Sequence, residues 1–215
     1  MTQKSALIFW GGWEGHEPEA CSLIVERMLT EEGFTVRREP GTKVLAEADL
    51  GAFDLIVPLI TQVQVAPEAV QNLIAAVEAG TGLGGFHGGM GDAFRNEPSY
   101  QFMTGGQWVA HPGNIIDYRV QVTRPDDPVM AGIGDFDVRS EQYYLHVDPS
   151  IEVLATTTFT GEHAPRTRGT VMPVVWKHRY GAARVFYSAL GHVAAEFDHP
   201  QMRQILRRGL VWAAR

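Results

Sequence analysis

The fold is decided by the stretch Thr81-Gly82-Leu83-Gly84-Gly85-Phe86-His87-Gly88-Gly89-Met90-Gly91-Asp92-Ala93-Phe94. A short apolar run leads into glycines on both sides of one polar side chain, and helix-compatible sequence follows. This order predicts a strand, a sharp turn and a helix, with His87 at the tip of the turn. Glycines are needed there because the turn residue is strained and bulky neighbours would clash where the chain reverses.

The first half of the chain alternates strands with helices. Short apolar runs predict strands at Ala6–Trp10, Phe34–Arg38, Phe53–Pro58 and Gly82–Phe86. Helical spacing of apolar residues predicts helices that begin at Pro18 and Pro67, since proline suits the first turn of a helix. Alternation with short loops is typical of a doubly wound α/β domain with a parallel sheet.

The second half differs, because its predicted strands follow one another without helices. Extended segments are predicted at 116–122, 136–141, 153–159, 171–176 and 183–189, and a last helix begins at His199-Pro200. We therefore expect antiparallel strands added to the parallel sheet. The chain shows no linker or repeat, which predicts a single domain over residues 1–215.

Composition limits the class of protein. Hydrophobic residues make up 45% and charged residues 20% of the chain, which is ordinary for a soluble globular protein. A net charge of −7 with scattered Lys and Arg argues against a nucleic-acid partner. No apolar stretch approaches a membrane span, the start lacks signal-peptide features, and Cys21 is the single cysteine. We expect a cytoplasmic protein, and base rates alone favour a homo-oligomer.

Polar side chains follow several of the predicted strands. In open α/β sheets, ligands bind outside the carboxyl ends of the strands. His16, His87, Glu141 and His192 all fall just after such ends, so we expect them at one rim. Three imidazoles and a carboxylate can bind Zn²⁺ or another divalent ion, with His16, His87 and His192 as ligands. They can equally act as general acid and base near neutral pH.

Each candidate also has a structural interpretation. His16 could cap the helix at Pro18, and His87 could be a packed turn residue. His111 fits a substrate loop or a turn. His199 suits a helix cap, and Cys21 suits the core. The glycine cluster does not match a dinucleotide-binding fingerprint, so a Rossmann cofactor site is rejected.

Five ordered motifs resemble those of the ThuA-like (trehalose-utilisation) family. They span nearly the whole chain and comprise Gly85-Phe86-His87-Gly88-Gly89, Tyr100 to Gly106 with Gly105-Gly106-x-Trp-x-x-His111-Pro112, Ser140-Glu141-Gln142-Tyr143-Tyr144, Pro173-Val174-Val175-Trp176, and Arg184-Val185-Phe186-Tyr187-Ser188-Ala189-Leu190-Gly191-His192. The resemblance implies the flavodoxin-like three-layer sandwich of class I glutamine amidotransferases. Amidotransferase chemistry itself is excluded, because His87 stands where a Cys nucleophile would form the acyl intermediate.

The resemblance also implies a role in the catabolism of trehalose and related disaccharides, beside oxidoreductases that make 3-keto-sugars. Some relatives hold a divalent metal through a His-rich turn after the third strand. That turn reads Thr61-Gln62-Val63-Gln64-Val65-Ala66 here, without histidine. No cofactor is certain from the sequence, although a divalent metal such as zinc fits the imidazoles.

Two hypotheses follow. The first is an enzyme acting on a glycoside or 3-keto-glycoside, a hydrolase or lyase with catalytic His87, His192, Glu141 and His16. Trp13, Trp108, His111 and Tyr143 would contact the sugar, because aromatic faces cover the apolar faces of a pyranose. The second is a non-catalytic carbohydrate-binding or regulatory protein on the same fold.

Overall fold

The computed structural model describes residues 3–215 and contains one large mixed sheet flanked by helices. The strands are β1 (Ser5–Gly12), β2 (Thr35–Pro40), β3 (Leu55–Thr61), β4 (Gly82–Phe86), β5 (Gly106–Ala110), β6 (Ile115–Val122), β7 (Phe136–Glu141), β8 (Tyr144–Val147), β9 (Glu152–Thr158), β10 (Val171–Tyr180) and β11 (Ala183–Ser188). The α-helices are α1 (Pro18–Glu31), α2 (Val44–Glu47), α3 (Pro67–Glu78), α4 (His87–Gly91), α5 (Pro98–Thr104) and α6 (Pro200–Ala213).

The sheet has the order β2-β1-β3-β4-β11-β10-β9-β6-β7. Its first five strands are parallel, and the other four are added antiparallel. The predicted α/β class is therefore confirmed, with a mainly parallel first half and antiparallel additions from the second half.

The parallel half places several strand ends at one edge. β2 lies on one side of β1 and β3 on the other, so the chain reverses direction across the sheet at β1. With right-handed crossovers, α1 and α3 then cover opposite faces. Strand β3 and β4 are buried throughout, as expected for strands covered on both faces. The carboxyl ends of β1, β3, β4 and β11 lie at one edge of the sheet, which is where open α/β sheets bind their ligands.

The antiparallel half places the carboxyl end of a fifth strand, β7, at the same edge. Each of β10, β9, β6 and β7 runs opposite to its neighbour, so β7 points the same way as β11. The β6–β7 pair joins β9 at only two residue pairs, Gln121–Thr156 and Val122–Ala155. Glu141, the last residue of β7, lies against His87 at this edge.

Some elements differ from the sequence-based prediction. The strands β5 and β8 form a separate two-stranded antiparallel sheet, and α5 precedes it. Their short, half-polar sequences carry little periodicity. The helix after the His87 turn has only five residues, because three of them, Gly88, Gly89 and Gly91, are glycines with low helix propensity. Within residues 3–215, no helix is both long and apolar enough to cross a bilayer.

Helix α6 packs on β11 through a glycine. Gly209 is buried, and a Cβ there would overlap the ring of Phe186 on the strand beneath. We expect Gly209→Ala to lower the free energy of unfolding by about 1–3 kcal/mol, because overpacking outweighs the gain of about 1 kcal/mol in helix propensity. Urea denaturation measures this.

The matched control is Gly134→Ala, since nothing lies within 4 Å of a Cβ at that position. We expect its effect to stay within about 0.5 kcal/mol. Equal stability of Gly209→Ala and the wild type would contradict close packing of α6 on β11.

Candidate functional site

Four polar side chains from distant parts of the chain converge at the carboxyl edge of the sheet. His16 follows β1, His87 begins α4 directly after β4, Glu141 ends β7, and His192 follows β11. One nitrogen or oxygen atom from each lies within 4.8 Å of the corresponding atoms of the other three. We call this set the His/Glu cluster. The structure thus brings together the four residues that the strand ends predicted, while their catalytic roles remain predictions.

The tip of the turn holds His87 in a strained conformation. Its φ is +46°, in the left-handed region that non-glycine residues rarely adopt. The Tyr187 hydroxyl donates to the His87 carbonyl at 3.0 Å, and His87 Nδ1 lies 2.8 Å from the Ala189 carbonyl oxygen. A carbonyl only accepts, so Nδ1 carries the proton and Nε2 faces the cluster with its lone pair.

Close packing fixes the rings around this turn. The Tyr143 ring stacks on His87 with a centroid distance of 4.0 Å. A Cβ at Gly88 would overlap the His16 ring and lie 3.1 Å from the Tyr143 hydroxyl. Glycine after His87 is therefore required by the neighbouring imidazole as well as by the turn.

Glu141 lies at the centre of the cluster. Its Oε2 is 3.0 Å from His87 Nε2, 3.5 Å from His192 Nδ1 and 4.0 Å from His16 Nε2. Its Oε1 is 3.7 Å from Nε2 of His111. Burial opposes ionisation of Glu141, but its contacts with the imidazoles of His16, His192 and His87 outweigh burial and hold its pKa below the usual value. The carboxylate is therefore ionised at neutral pH.

The imidazoles differ in their electrostatics. Complete burial lowers the pKa of His87 to about 4, despite the opposing contact with Glu141. Burial also acts to lower the pKa of His192, but the Glu141 carboxylate outweighs it and raises that pKa. His87 is thus neutral at pH 7, and its unprotonated Nε2 faces an ionised carboxylate oxygen.

A second set of contacts orients His16 and the loop of His192. Thr61, at the end of β3, has its hydroxyl 2.8 Å from His16 Nδ1. The Glu196 carboxylate accepts from the backbone N–H of His192 and from the Ser140 hydroxyl, each at 2.9 Å. Sequence reasoning missed these residues. A hydroxyl at the end of a buried strand was the signal for Thr61, whereas nothing in the sequence marked Glu196.

Aromatic side chains surround the opening of the cluster. Trp13 is half exposed, and its ring contacts His16 edge-on at 4.6 Å between centroids. Trp108 lies in β5, and its ring centroid is 5.4 Å from that of His111 and 6.0 Å from that of Tyr143. The predicted sugar-contacting residues therefore all lie beside the cluster.

Three polar atoms at the site lack partners. Trp108 Nε1, His111 Nδ1 and His192 Nδ1 are buried, and none has a hydrogen bond within the described chain, residues 3–215. A buried polar atom without a partner costs free energy, so such atoms in a cleft indicate a place for a polar ligand or water.

Other candidates lie elsewhere. His146 is exposed on β8. His199 is the N-cap residue of α6, as predicted, but its side chain makes no capping bond and its Nε2 lies 3.2 Å from the Asp137 carbonyl oxygen. Cys21 is buried, and burial together with the charges of Glu17 and Glu196 raises the pKa of its thiol to about 12. Cys21 is therefore an unreactive core residue.

Comparison with known proteins gives the same fold. A putative ThuA-like protein from Parabacteroides merdae superposes with a TM-score of 0.83 at 18% identity, covering 99% of this chain and 90% of that one. A second from Bacteroides uniformis gives 0.80 at 20% identity, covering 98% and 91%. A β-galactosidase from Bacillus circulans contains a similar region, with a TM-score of 0.59 at 14% identity over 99% of this chain and 30% of that one.

These identities show a shared fold and nothing finer. No curated protein matches the chain in sequence. The model of the ThuA family, described as trehalose utilisation, matches residues 5–213. That match takes in every strand and helix described above and the whole His/Glu cluster, so the chain belongs to the ThuA family.

Proposed function

We propose that the chain is a metal-dependent enzyme that cleaves a glycoside or 3-keto-glycoside in the cytoplasm. The observation that carries the proposal is the pair formed by His87 Nε2 and Glu141 Oε2, 3.0 Å apart. Nδ1 of His87 carries the proton, and the carboxylate is ionised. Two acceptors at hydrogen-bond distance repel each other unless a cation lies between or beside them.

The donor set fits a divalent transition metal. Three imidazoles with one carboxylate suit zinc and related ions, and no thiolate is involved. Ligand atoms about 2.1 Å from a tetrahedral ion are about 3.4 Å apart. The separations of 3.0, 3.5 and 4.0 Å from Glu141 Oε2 to His87, His192 and His16 are of that size.

Burial supports the same assignment. The side chains of His87 and Glu141 are 1% and 6% exposed, while those of His16 and His192 are 11% and 14% exposed. A buried carboxylate is costly unless it is paired or coordinates a metal. The partial exposure of His16 and His192 leaves the cluster open on one side, where a substrate can approach.

The residues around the opening have distinct tasks. Trp13 offers an exposed face for the apolar side of a pyranose. Trp108 Nε1 is an unpartnered donor for a sugar hydroxyl, and His111 Nδ1 is an unpartnered donor or acceptor. His111 Nε2, 3.7 Å from Glu141 and more exposed than the four cluster residues, can transfer a proton to or from the glycosidic oxygen.

A bound metal would polarise a sugar carbonyl or hydroxyl as a Lewis acid. For a 3-keto-glycoside, the carbonyl acidifies its neighbouring C–H. His111 would accept that proton and give it to the glycosidic oxygen, so that the C–O bond breaks with a neutral aglycone as the leaving group and a C=C bond forms beside the carbonyl. The family description of trehalose utilisation supports a sugar substrate of this kind.

Metal content tests the centre. We expect purified wild-type protein to hold about one equivalent of zinc or manganese by elemental mass spectrometry. Glu141→Gln removes a charged ligand and should abolish stoichiometric binding. His87→Asn should do the same, and asparagine tolerates the positive φ at that turn.

The matched control is His146→Ala, which removes an exposed imidazole outside the cluster and should leave the metal in place. Turnover of 3-keto-trehalose, followed by product chromatography, then distinguishes enzyme from binder. Wild-type turnover that is lost in Glu141→Gln supports the proposal. Turnover by metal-free protein would instead indicate acid–base catalysis, and binding without turnover would indicate the non-catalytic alternative.

Thr61 should raise the affinity of the cluster for the metal through its contact with His16. Thr61→Val keeps the side-chain shape but removes the hydroxyl that lies 2.8 Å from His16 Nδ1. Loss of such an orienting contact typically lowers metal affinity about 10- to 100-fold, and we expect that range from competition with a chelating dye.

Thr158→Val is the control, because Thr158 is an exposed threonine on β9 away from the cluster. It should leave the affinity unchanged. An affinity of Thr61→Val equal to that of the wild type would show that His16 is not a ligand or is oriented by other contacts.

A further inference from the structure

We propose that a cavity beside the His/Glu cluster is a subsite for a second, neutral, hydroxylated sugar ring. The cavity has a volume of about 470 Å³ and is lined by two short segments, residues 62–65 after β3 and residues 94–97 after α4. Its size is within the range of small-molecule sites, roughly 300–1,000 Å³. The inference rests on the proposed function. It assumes that one sugar ring binds at the cluster, and it places the second ring of the same molecule in the cavity.

The two walls of the cavity are fixed to each other. The backbone N–H groups of Gln62 and Val63 donate to the carbonyls of Asp92 and Ala93, at 2.8 and 3.1 Å. The Gln62 side-chain amide also donates to the Asp92 carboxylate at 2.9 Å. These bonds set the spacing of the walls without a ligand, so binding does not have to order them.

Two series of neighbouring residues lead from the lining of the cavity to the cluster. On one side, Gln62 directly follows Thr61, the residue that contacts His16. On the other side, the Arg95 guanidinium lies 4.8 Å from the centroid of the Trp108 ring. Trp108 in turn contacts His111, which reaches Glu141. A molecule of two rings can therefore place one ring at the cluster and the other in the cavity, with Trp108 between them.

The charges of the lining favour a neutral ligand over an anion. Arg95 is the cation of the lining, and its guanidinium donates twice to the Asp92 carboxylate, at 2.9 and 2.8 Å. Glu97 adds a negative charge to the same wall. A phosphate or carboxylate would therefore meet a neutralised arginine and a repelling carboxylate.

The remaining polar groups match hydroxyls. Gln64 and Asn96 present exposed amides from opposite walls. An amide both donates and accepts, as a sugar hydroxyl does. Val63, Val65 and Phe94 supply the apolar part of the lining for the C–H face of a ring.

The test compares a two-ring sugar with a one-ring sugar in the metal-loaded protein. Isothermal titration with trehalose and with methyl α-glucoside should show at least about tenfold tighter binding of trehalose by the wild type. Gln64→Ala and Asn96→Ala should each weaken trehalose binding about three- to tenfold, the effect of one lost hydrogen bond. Neither variant should change the affinity for methyl α-glucoside or the metal content.

Gln71→Ala is the matched control, since Gln71 is an exposed glutamine on α3 outside the lining. It should change neither affinity. Equal affinities of the wild type for the two sugars would overturn the subsite, as would variants that weaken both sugars equally. If metal binding and keto-sugar turnover persist in that case, the proposed function stands and only the subsite fails. If neither sugar binds, no metal is held and no turnover occurs, both the subsite and the proposed function are overturned.

Discussion

The burial of one carboxylate among three imidazoles is the constraint on which this structure depends. A charge removed from water is costly unless it is paired, and Glu141 is 6% exposed with nitrogen atoms of three histidines at 3.0, 3.5 and 4.0 Å. Those nitrogens come from three separate loops of the parallel sheet. The carboxylate comes from the antiparallel half. Both halves must therefore be folded and correctly placed before the charge is compensated.

The turn at His87 shows how backbone strain serves that arrangement. A positive φ at a non-glycine residue costs free energy, of order 1–3 kcal/mol, and persists only where the surroundings determine it. Here the surroundings are Tyr187, which donates to the turn carbonyl, and Ala189, which accepts from the ring. Tyr187 lies in β11, and Ala189 is the residue that follows this strand. The strand next to β4, β11, thus fixes the orientation of the imidazole. With Nδ1 bonded to the Ala189 carbonyl oxygen, Nε2 points toward Glu141.

The proposed function and the proposed subsite use the same edge of the sheet. The cluster offers nitrogen and oxygen donors suited to a metal, and the half-exposed Trp13 borders its opening. The lining of the cavity between residues 62–65 and 94–97 begins at the residue after Thr61. The loop after β3 lacks the histidines that the resemblance associated with metal binding. In this chain the loop instead supplies glutamines to the cavity, while Thr61 before it contacts His16.

Much of the fold could be predicted from local sequence. Apolar runs located β1, β3 and β4, helical spacing and proline located α1, α3 and α6, and glycine spacing located the His87 turn. The short strands β5 and β8 were missed, because each is stabilised by pairing with the other across about forty residues rather than by its own periodicity. Pairing between distant segments leaves no local pattern.

The candidate site, like the fold, could be predicted from the sequence only in part. By itself the sequence determined which side chains follow strand ends, and therefore that His16, His87 and His192 share an edge, since the carboxyl ends of parallel strands meet there. The sequence also predicted Glu141 for this edge, but only the tertiary structure decided that its carboxylate lies 3.0–4.0 Å from nitrogen atoms of the three imidazoles. It alone also placed the Thr61 hydroxyl beside His16 and the Glu196 carboxylate at the backbone N–H of His192. Distances between side chains of a few ångströms depend on how whole strands pair and bend, and no local pattern of residues encodes them.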